Sequence, residues 1–283
     1  MEYHILTAQW ESYRLIDFGE GWRWEYWGKY SVMRPDGWAV GRPSQPRSRW
    51  TPQHVYHPMG AYQGKWEPPL PEKWILLYRS KRWQMKLWCR TGKFKHMGLF
   101  PEQAPHWDWL HEWISQRQRV RILNLFAYTG AASIAAALAG AQVIHVDSSR
   151  SAIKWAAENA SLNNIQTIRW LVEDARRFVQ RAARRRETYD GILLDPPAYG
   201  IGTKGRRWEL QQDLPILLAE LLPLLSTDRG LFLLNLYTGD FSPYTVKRII
   251  QETLPLPLEV GELTLPTPEG RLLSTGLFFR CRW

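Results

Sequence analysis

From residue 120 onward, short apolar runs take turns with amphipathic stretches of helical period. The runs at 121–126, 141–147, 168–174, 189–195 and 230–237 read as strands. Between them, 129–140 reads as a helix of very small residues that can sit close on a sheet. The stretch 149–162 is a helix with Ile153, Ala156, Ala157 and Ala160 on one face, and 175–186 is a helix strongly basic at its end. A Leu-rich helical region runs to Ser226, with Pro215 near its start and Pro223 breaking it late; 243–253 is a further helix. The chain closes on two runs, 258–265 and 274–283, with no helix between them. Strand–helix repetition predicts a parallel, doubly wound sheet, and the closing pair predicts an antiparallel edge.

Before residue 120 the period changes to two. Trp22, Trp24 and Tyr26 alternate with Arg23, Glu25 and Trp27, and Met85, Leu87 and Cys89 alternate with Lys86, Trp88 and Arg90. Residues 80–82 read as a hairpin turn closing 85–89 on 75–78. The stretch 41–72, rich in Pro, Gly and polar residues, reads as a long loop. These patterns divide the chain into a small β-rich N-terminal domain, 1–90, and an α/β domain, 91–283, whose segment 91–120 leads into the first strand.

A chain of 283 residues with 45% hydrophobic content is long enough for one large domain and a small one, and can bury a core. The first thirty residues carry Glu2, Glu11 and Asp17 and no apolar run, so no signal peptide is expected. The longest apolar runs are too short to span a bilayer, and a cytoplasmic protein is expected. Two cysteines make neither a disulfide framework nor a zinc site, so no metal is expected. The formal charge of +10 points to a polyanionic partner, and some of the 17 tryptophans could stack on bases.

In a doubly wound fold the ligand lies beyond the carboxyl ends of the strands. The first strand ends in NLFAYTG, Asn124 to Gly130, the second in Asp147, the third in Glu173 and Asp174, and the fourth in Asp195-Pro196-Pro197. Three consecutive strands thus finish on an acid at one rim. Carboxylates crowded together repel, so the pattern implies a ligand that offers hydroxyls, an amino group or positive charge. A dinucleotide would need more glycines than Gly130 for its pyrophosphate. S-adenosylmethionine (SAM) has no phosphate. It needs one close backbone approach, an acid for the ribose and a polar group near the adenine amino group. Gly130, Asp147 and Asp174 match that order.

The stretches RILNLFAYTGAASIAAALAGAQVIHVDSSRSAIKWAAENASLNN (121–164), VEDARRFV (172–179) and YDGILLDPPAYG (189–200) together resemble class I SAM-dependent methyltransferases. More narrowly, residues 94–283 resemble the large-subunit ribosomal RNA methyltransferase-like family. FKHMGLFPEQAPHW (94–107) is similar to that family's segment before the first strand, which folds over the cofactor. YRLIDFGEGWRWEYWGKYSVMRP (13–35) resembles the short N-terminal domain of one subgroup. The resemblance implies a Rossmann-like, seven-stranded α/β sheet with a small N-terminal β-rich domain, SAM as cofactor, and methyl transfer to RNA, ribosomal RNA above all. By the same resemblance Phe126, Ala127, Tyr128, Thr129 and Gly130 wrap the methionine part, and Asn124 also binds the cofactor. Asp147 takes the ribose with Ser148 beside it, and Asp174 faces the adenine amino group. Phe100 and Gln103 come from the preceding segment.

The opening of the fourth strand's turn then acquires a chemical reading. An aromatic amino group is a poor nucleophile because its lone pair is delocalised into the ring. Asp195 can accept one of its hydrogens, and the Pro196 carbonyl, aimed by the rigid Pro196-Pro197 turn, can accept another, which leaves the lone pair free for an in-line displacement. Tyr199 could stack on a base that has left its helix. The family's amino-methylating members commonly carry the aromatic directly after the second proline, whereas here Ala198 intervenes. Relatives with this spacing include enzymes that methylate a pyrimidine carbon. Carbon methylation needs a cysteine nucleophile. None lies near the fourth strand or in 233–241, so a nitrogen acceptor is favoured. Basic groups for RNA phosphates are Arg184 and Arg185 in RAARRRE (181–187), and Lys204, Arg206 and Arg207 in TKGRRW (203–208). Two other classes stay open on sequence: a transferase acting on a protein side chain or small molecule, and a non-catalytic RNA-binding or assembly factor that kept the fold.

Overall fold

The structure, a computed structural model, describes residues 2–283 apart from 61–62, 93, 202–206 and 238–240. In chain order its elements are β1 (Tyr3–Thr7), β2 (Tyr13–Gly19), β3 (Trp22–Trp27), β4 (Tyr30–Pro35), β5 (His54–Pro58), β6 (Gly64–Glu67), β7 (Lys73–Arg79) and β8 (Gln84–Arg90). There follow α1 (Ala104–Ser115), β9 (Arg121–Leu125), α2 (Ala131–Leu138), β10 (Gln142–Asp147), α3 (Arg150–Leu162), β11 (Ile168–Val172), α4 (Ala175–Arg184) and β12 (Gly191–Leu194). The last are β13 (Tyr199–Ile201), β14 (Arg207–Glu209), α5 (Leu210–Leu221), β15 (Leu231–Leu236), α6 (Pro243–Thr253), β16 (Glu259–Pro266) and β17 (Leu272–Arg282). The chain divides into two compact units. One holds Met1–Ile5, His106–Glu262 and Gly276–Trp283, the other Leu6–Pro105 and Leu263–Thr275.

The first unit is built on a sheet of strand order β1-β16-β17-β15-β12-β9-β10-β11. Strands β9 to β12 and β15 run parallel, and β17 pairs antiparallel with β15, as the pattern of runs predicts. The chain lays down β9, β10 and β11 in one direction, then returns to place β12 on the other side of β9. The order therefore reverses at β9, and a crevice opens there at the carboxyl ends of the strands. The four residues of β12 are all buried, as expected for a parallel strand covered on both faces. On one face Leu123, Leu125, Ile192, Leu194, Phe232 and Leu234 pack against Phe178 and Val179 of α4, Leu214, Leu217 and Leu221 of α5, and Val246 and Ile250 of α6.

An eighth strand, β1, joins the seven that the sequence predicts. Gly261 makes room for it: a Cβ there would sit 1.8 Å from the His4 carbonyl oxygen. Helix α2 is shorter than predicted. Its N-cap is Gly130 at φ 85, a left-handed conformation that stops the helix from starting earlier. Ser149 is likewise a cap rather than a helical residue, its Oγ accepting the Ala152 N–H at 3.2 Å. Among the described residues no helix is long and apolar enough to cross a membrane.

In the second unit β2 to β6 form a five-stranded sheet in sequence order, and β7 and β8 form the predicted hairpin. The expected long loop at 41–72 contains two strands. β5 pairs parallel with β4 through Val32 and Met33, and β6 closes antiparallel on β5. These strands are short and end on Pro58 and Glu67, and β5 exists through a partner distant in sequence, so local composition concealed both. The alternation in β3 resolves in an unexpected sense: Arg23, Glu25 and Trp27 are the buried set, while Trp22, Trp24 and Tyr26 are half-exposed. The charged set is tolerable inside because it is mutually paired. Glu25 accepts the Tyr13 hydroxyl at 2.8 Å and the Arg34 Nε at 2.7 Å, and Arg23 Nε lies 3.2 Å from it. Burial works to raise the Glu25 pKa, but Arg23 and Arg34 beside it hold the carboxyl down at about 2.

Candidate functional site

Beyond Leu125 the chain turns through Phe126 (φ 55), Tyr128 (φ 48) and Gly130 (φ 85). Left-handed backbone costs a side-chain-bearing residue about 1–2 kcal/mol, so the surroundings must impose it. They do so through hydrogen bonds. The Ala127 N–H reaches the Val146 carbonyl at 3.2 Å, the Tyr128 N–H reaches Asp147 Oδ2 at 2.9 Å, and Asn159 Nδ2 holds the Thr129 carbonyl at 2.9 Å. At Gly130 a Cβ would lie 3.0 Å from the Ala156 Cβ and 3.4 Å from His145 Cε1. The glycine is thus required by its φ and by close packing of the turn on α3. Both reasons are additional to the close backbone approach that the sequence predicts for the ligand.

Asp147 ends β10 and holds two backbone N–H groups, that of Tyr128 on Oδ2 and that of Ser149 on Oδ1 at 2.8 Å. Burial raises its pKa, and the two N–H donors partly offset that. Each oxygen keeps acceptor capacity for a hydroxyl. Asp174 caps α4, its Oδ1 accepting the Arg177 N–H at 3.1 Å. Glu173 beside it is paired with Arg181 at 2.6 Å. A small cleft of about 50 Å³, open to solvent, is lined by Phe126, Asp147, Ser148, Glu173, Asp174, Ala175, Pro197 and Trp208, among others.

The structure therefore brings Phe126, Asp147, Ser148, Asp174 and Pro197 to one cavity. It places the other predicted residues differently. Asn124 is buried, and its Nδ2 donates to Ser133 Oγ at 2.9 Å, which in turn meets His145 Nδ1 at 3.0 Å; it is committed beneath the turn. Burial pushes the pKa of His145 down to about 3, so the ring stays neutral in that network. Thr129 is buried, and Ala127 and Tyr128 are partly buried in the turn above. Phe100 and Gln103 belong to the other compact unit, where Phe100 precedes and Gln103 ends a short 3-10 turn, Pro101–Gln103.

Asp195 and Pro196 follow β12 directly, Asp195 partly and Pro196 fully buried. Beyond them β13 and β14 form a small hairpin with Tyr199 opposite Glu209 and Gly200 opposite Trp208. This hairpin grips the proline turn. Trp208 Nε1 donates to the Pro197 carbonyl at 2.7 Å, and the Leu210 N–H donates to the Ala198 carbonyl at 3.0 Å. The Trp208 ring also meets Phe126, centroids 4.9 Å apart at 54°. Tyr199, by contrast, is 76% exposed. Sequence reasoning passed over Trp208 as the end of a basic stretch; the signal was its place two residues before a helix and opposite the YGI strand. Arg207 is exposed on β14, and Lys204 and Arg206 lie outside the described residues. Arg184 and Arg185 sit at the C-terminal end of α4, whose N-terminal end is Asp174. Ten residues of helix, about 15 Å, separate them from the rim.

These features fit a ligand with a ribose, an aromatic base and a cationic end. The rim offers the Asp147 and Asp174 carboxylates, an aromatic wall and a rigid turn around a small open cleft. Comparison with known proteins agrees. A family model described as S-adenosylmethionine-dependent methyltransferase matches residues 34–243. The crystal structure of a SAM-dependent methyltransferase from Agrobacterium tumefaciens is 36% identical, with a TM-score of 0.91, covering 99% of this chain and 93% of that one. Ribosomal RNA large subunit methyltransferase K/L of Marinobacter nauticus is 30% identical over 65% of this chain and 24% of that protein. The protein of the same name from Pseudoalteromonas translucida is 39% identical over 41% of this chain and 16% of that protein. The chain thus spans no more than about a quarter of the length of these two relatives.

Proposed function

The chain belongs to the S-adenosylmethionine-dependent methyltransferase family, and on that premise we propose that it methylates a base of RNA, ribosomal RNA in particular, at an amino nitrogen. A cytoplasmic setting goes with that substrate. The observation that carries the reading is the meeting of Asp147, Asp174 and the Pro197 turn on one cleft, with Asp195 at the root of that turn. The names of the K/L relatives support RNA as the acceptor.

When bound, SAM supplies a methyl group activated on a sulfonium. The residues of this chain would hold it in three places: the turn Phe126 to Gly130 along the methionine part, Asp147 and Ser148 at the ribose, and Asp174 at the adenine amino group. Phe100 and Gln103 are assigned to the same ligand by resemblance. Asp195 accepts a hydrogen from the acceptor's amino group, and the Pro196 carbonyl accepts the second. Both orient the nitrogen lone pair, neither has to remove a proton before transfer, and the extra proton left on the methylated nitrogen would pass afterwards to Asp195 or to solvent. Arg207, with Lys204 and Arg206, would meet phosphates beside the target.

The test is mass-spectrometric comparison of ribosomal RNA nucleosides from cells with and without the gene. Loss of one N-methylated nucleoside is expected. Loss of a C-methylated pyrimidine instead would overturn the nitrogen assignment, and an unchanged nucleoside profile would overturn the RNA assignment.

A further inference from the structure

The five-stranded sheet of the second unit has two unlike faces. One carries Tyr13, Leu15, Arg23, Glu25, Trp27, Val32 and Arg34 and is buried. The register puts Arg14 opposite Tyr26, Met33 opposite Trp24 and Pro35 opposite Trp22, so these six share the other face. There Trp22, Trp24 and Tyr26 form a row along β3, each half-buried; the middle ring, Trp24, meets the buried Trp50 at 6.2 Å and donates its Nε1 to Ser31 Oγ at 2.7 Å, so the rings available to a ligand are Trp22 and Tyr26. Residues four apart on a strand stand about 13 Å apart, which gives the two outer rings room for one base each of an unstacked strand.

The ends of this row are already covered by flat cations. The Arg47 guanidinium lies 5.1 Å from the centroid of the Trp22 ring, and that of Arg14 lies 5.1 Å from the Tyr26 ring. Both arginines are exposed, as are Arg42 and Arg49 in the loop that carries Arg47. A guanidinium stacked on a ring occupies the position a base would take. A long exposed side chain can yield that position and carry its charge to the neighbouring phosphate. Of the acids nearby, Glu20 is exposed in the turn before Trp22, and the others are engaged. Asp17 is buried and accepts the N–H groups of Phe18, Ser44 and Gln45, the Trp50 indole and the Arg271 guanidinium. Glu67, at the far edge, is paired with Lys65. The face is aromatic at its centre and cationic at its rim. Those are the two features a single nucleic-acid strand requires and an apolar peptide does not.

We infer that this face is a stacking platform for single-stranded RNA, with Trp22 and Tyr26 taking one base each and Arg14 and Arg47 taking phosphates beside them. It is a second RNA contact, separate from the transfer site, and rests on the reading of RNA as the acceptor.

The full chain is titrated with a 12-nucleotide fluorescein-labelled single-stranded RNA by anisotropy, with SAM affinity measured in parallel by calorimetry. Replacing Trp22 and Tyr26 together by Ala should raise the Kd at least about tenfold, since each lost stack has a cost of that order, while Trp22→Phe should stay within about threefold. Arg14→Gln with Arg47→Gln removes two exposed charges and should lower the slope of log Kd against log salt by about 1.4. SAM affinity should be unchanged in all of them. The same RNA carrying 4-thiouridine should crosslink to peptides containing Trp22 or Tyr26, a readout that needs no substitution. Aromatic variants that bind SAM and also bind RNA as tightly as the parent would overturn the platform, as would crosslinks confined to other segments. Either failure leaves the transfer site on RNA intact. A parent chain that binds no RNA would overturn both, with SAM binding still separating the fold's enzymatic assignment from its substrate.

Discussion

Trp208 donates its indole N–H to the Pro197 carbonyl at 2.7 Å while its ring rests on Phe126. One side chain thus ties the turn after β12 to the turn after β9, the two segments that flank the reversal in strand order. Trp208→Phe keeps a ring but loses the donor, worth about 1 kcal/mol. It should lower kcat severalfold and leave the SAM Kd within about threefold. Trp208→Ala should raise that Kd as well, by about tenfold. Calorimetry with SAM and steady-state turnover on ribosomal RNA separate the two effects.

Asp195 stands at the end of β12 and is assigned to the acceptor, not the cofactor. Asp195→Ala should therefore abolish turnover while SAM affinity stays within a few-fold. Turnover at the parent's rate would remove Asp195 from the chemistry.

Asp174 has two tasks that substitution can split. Its Oδ1 caps α4 through the Arg177 N–H, a contact worth about 1 kcal/mol, and its carboxylate faces the cleft. Asp174→Ala should lower both thermal stability and SAM affinity. Asp174→Ser should restore the stability, because serine also caps, but not the affinity.

Cys281 lies buried on β17, and burial pushes its thiol up to about 12. Burial likewise raises Cys89 well above the usual thiol range. Neither is suited to act as a nucleophile. Cys281→Ser should retain activity; a folded but inactive variant would revive carbon methylation.

Glu102 is buried, and its Oε2 has no hydrogen-bond partner among the described residues. Burial raises its pKa to about 7 from 4.5, although Arg23 nearby pulls it down. Raised in the folded state, this carboxyl contributes stability that is present in full below pH 4.5 and is lost as pH rises to 7. Glu102→Gln removes the dependence. In denaturant titrations the variant should gain on the parent between those limits, by about 3 kcal/mol at most, and the gain should level off above pH 7. A difference independent of pH would show that the Glu102 pKa is the same in the folded and unfolded chain.

The candidate site was legible where the chemistry is carried at strand ends. Asp147, Asp174 and Asp195 each follow an apolar run directly, and a parallel sheet must bring such ends to one rim. What lay outside that rule was harder to read. Asn124 is one residue from the end of β9, yet pairs inward with Ser133 of α2. Tyr199 stands in the expected place along the chain, but the hairpin turns it outward and sets Trp208 at the cleft. Arg184 and Arg185 share a helix with Asp174, and the length of that helix carries them to its opposite end.

The sequence by itself determined the doubly wound sheet, its antiparallel edge, the order of acids along the rim and the kinship with SAM-dependent methyltransferases. Periodicity and strand-end chemistry are local properties, and they survive without knowledge of any partner strand. Only the tertiary structure decided which face of β3 is buried, that β5 and β6 exist within 41–72, and which aromatic ring closes the cleft. Those outcomes depend on pairings between distant residues: Glu25 with Arg34, Met33 with Val55, Trp208 with Pro197 and Phe126. Their free energies are realised only once the strands have met, so no window of the sequence displays them.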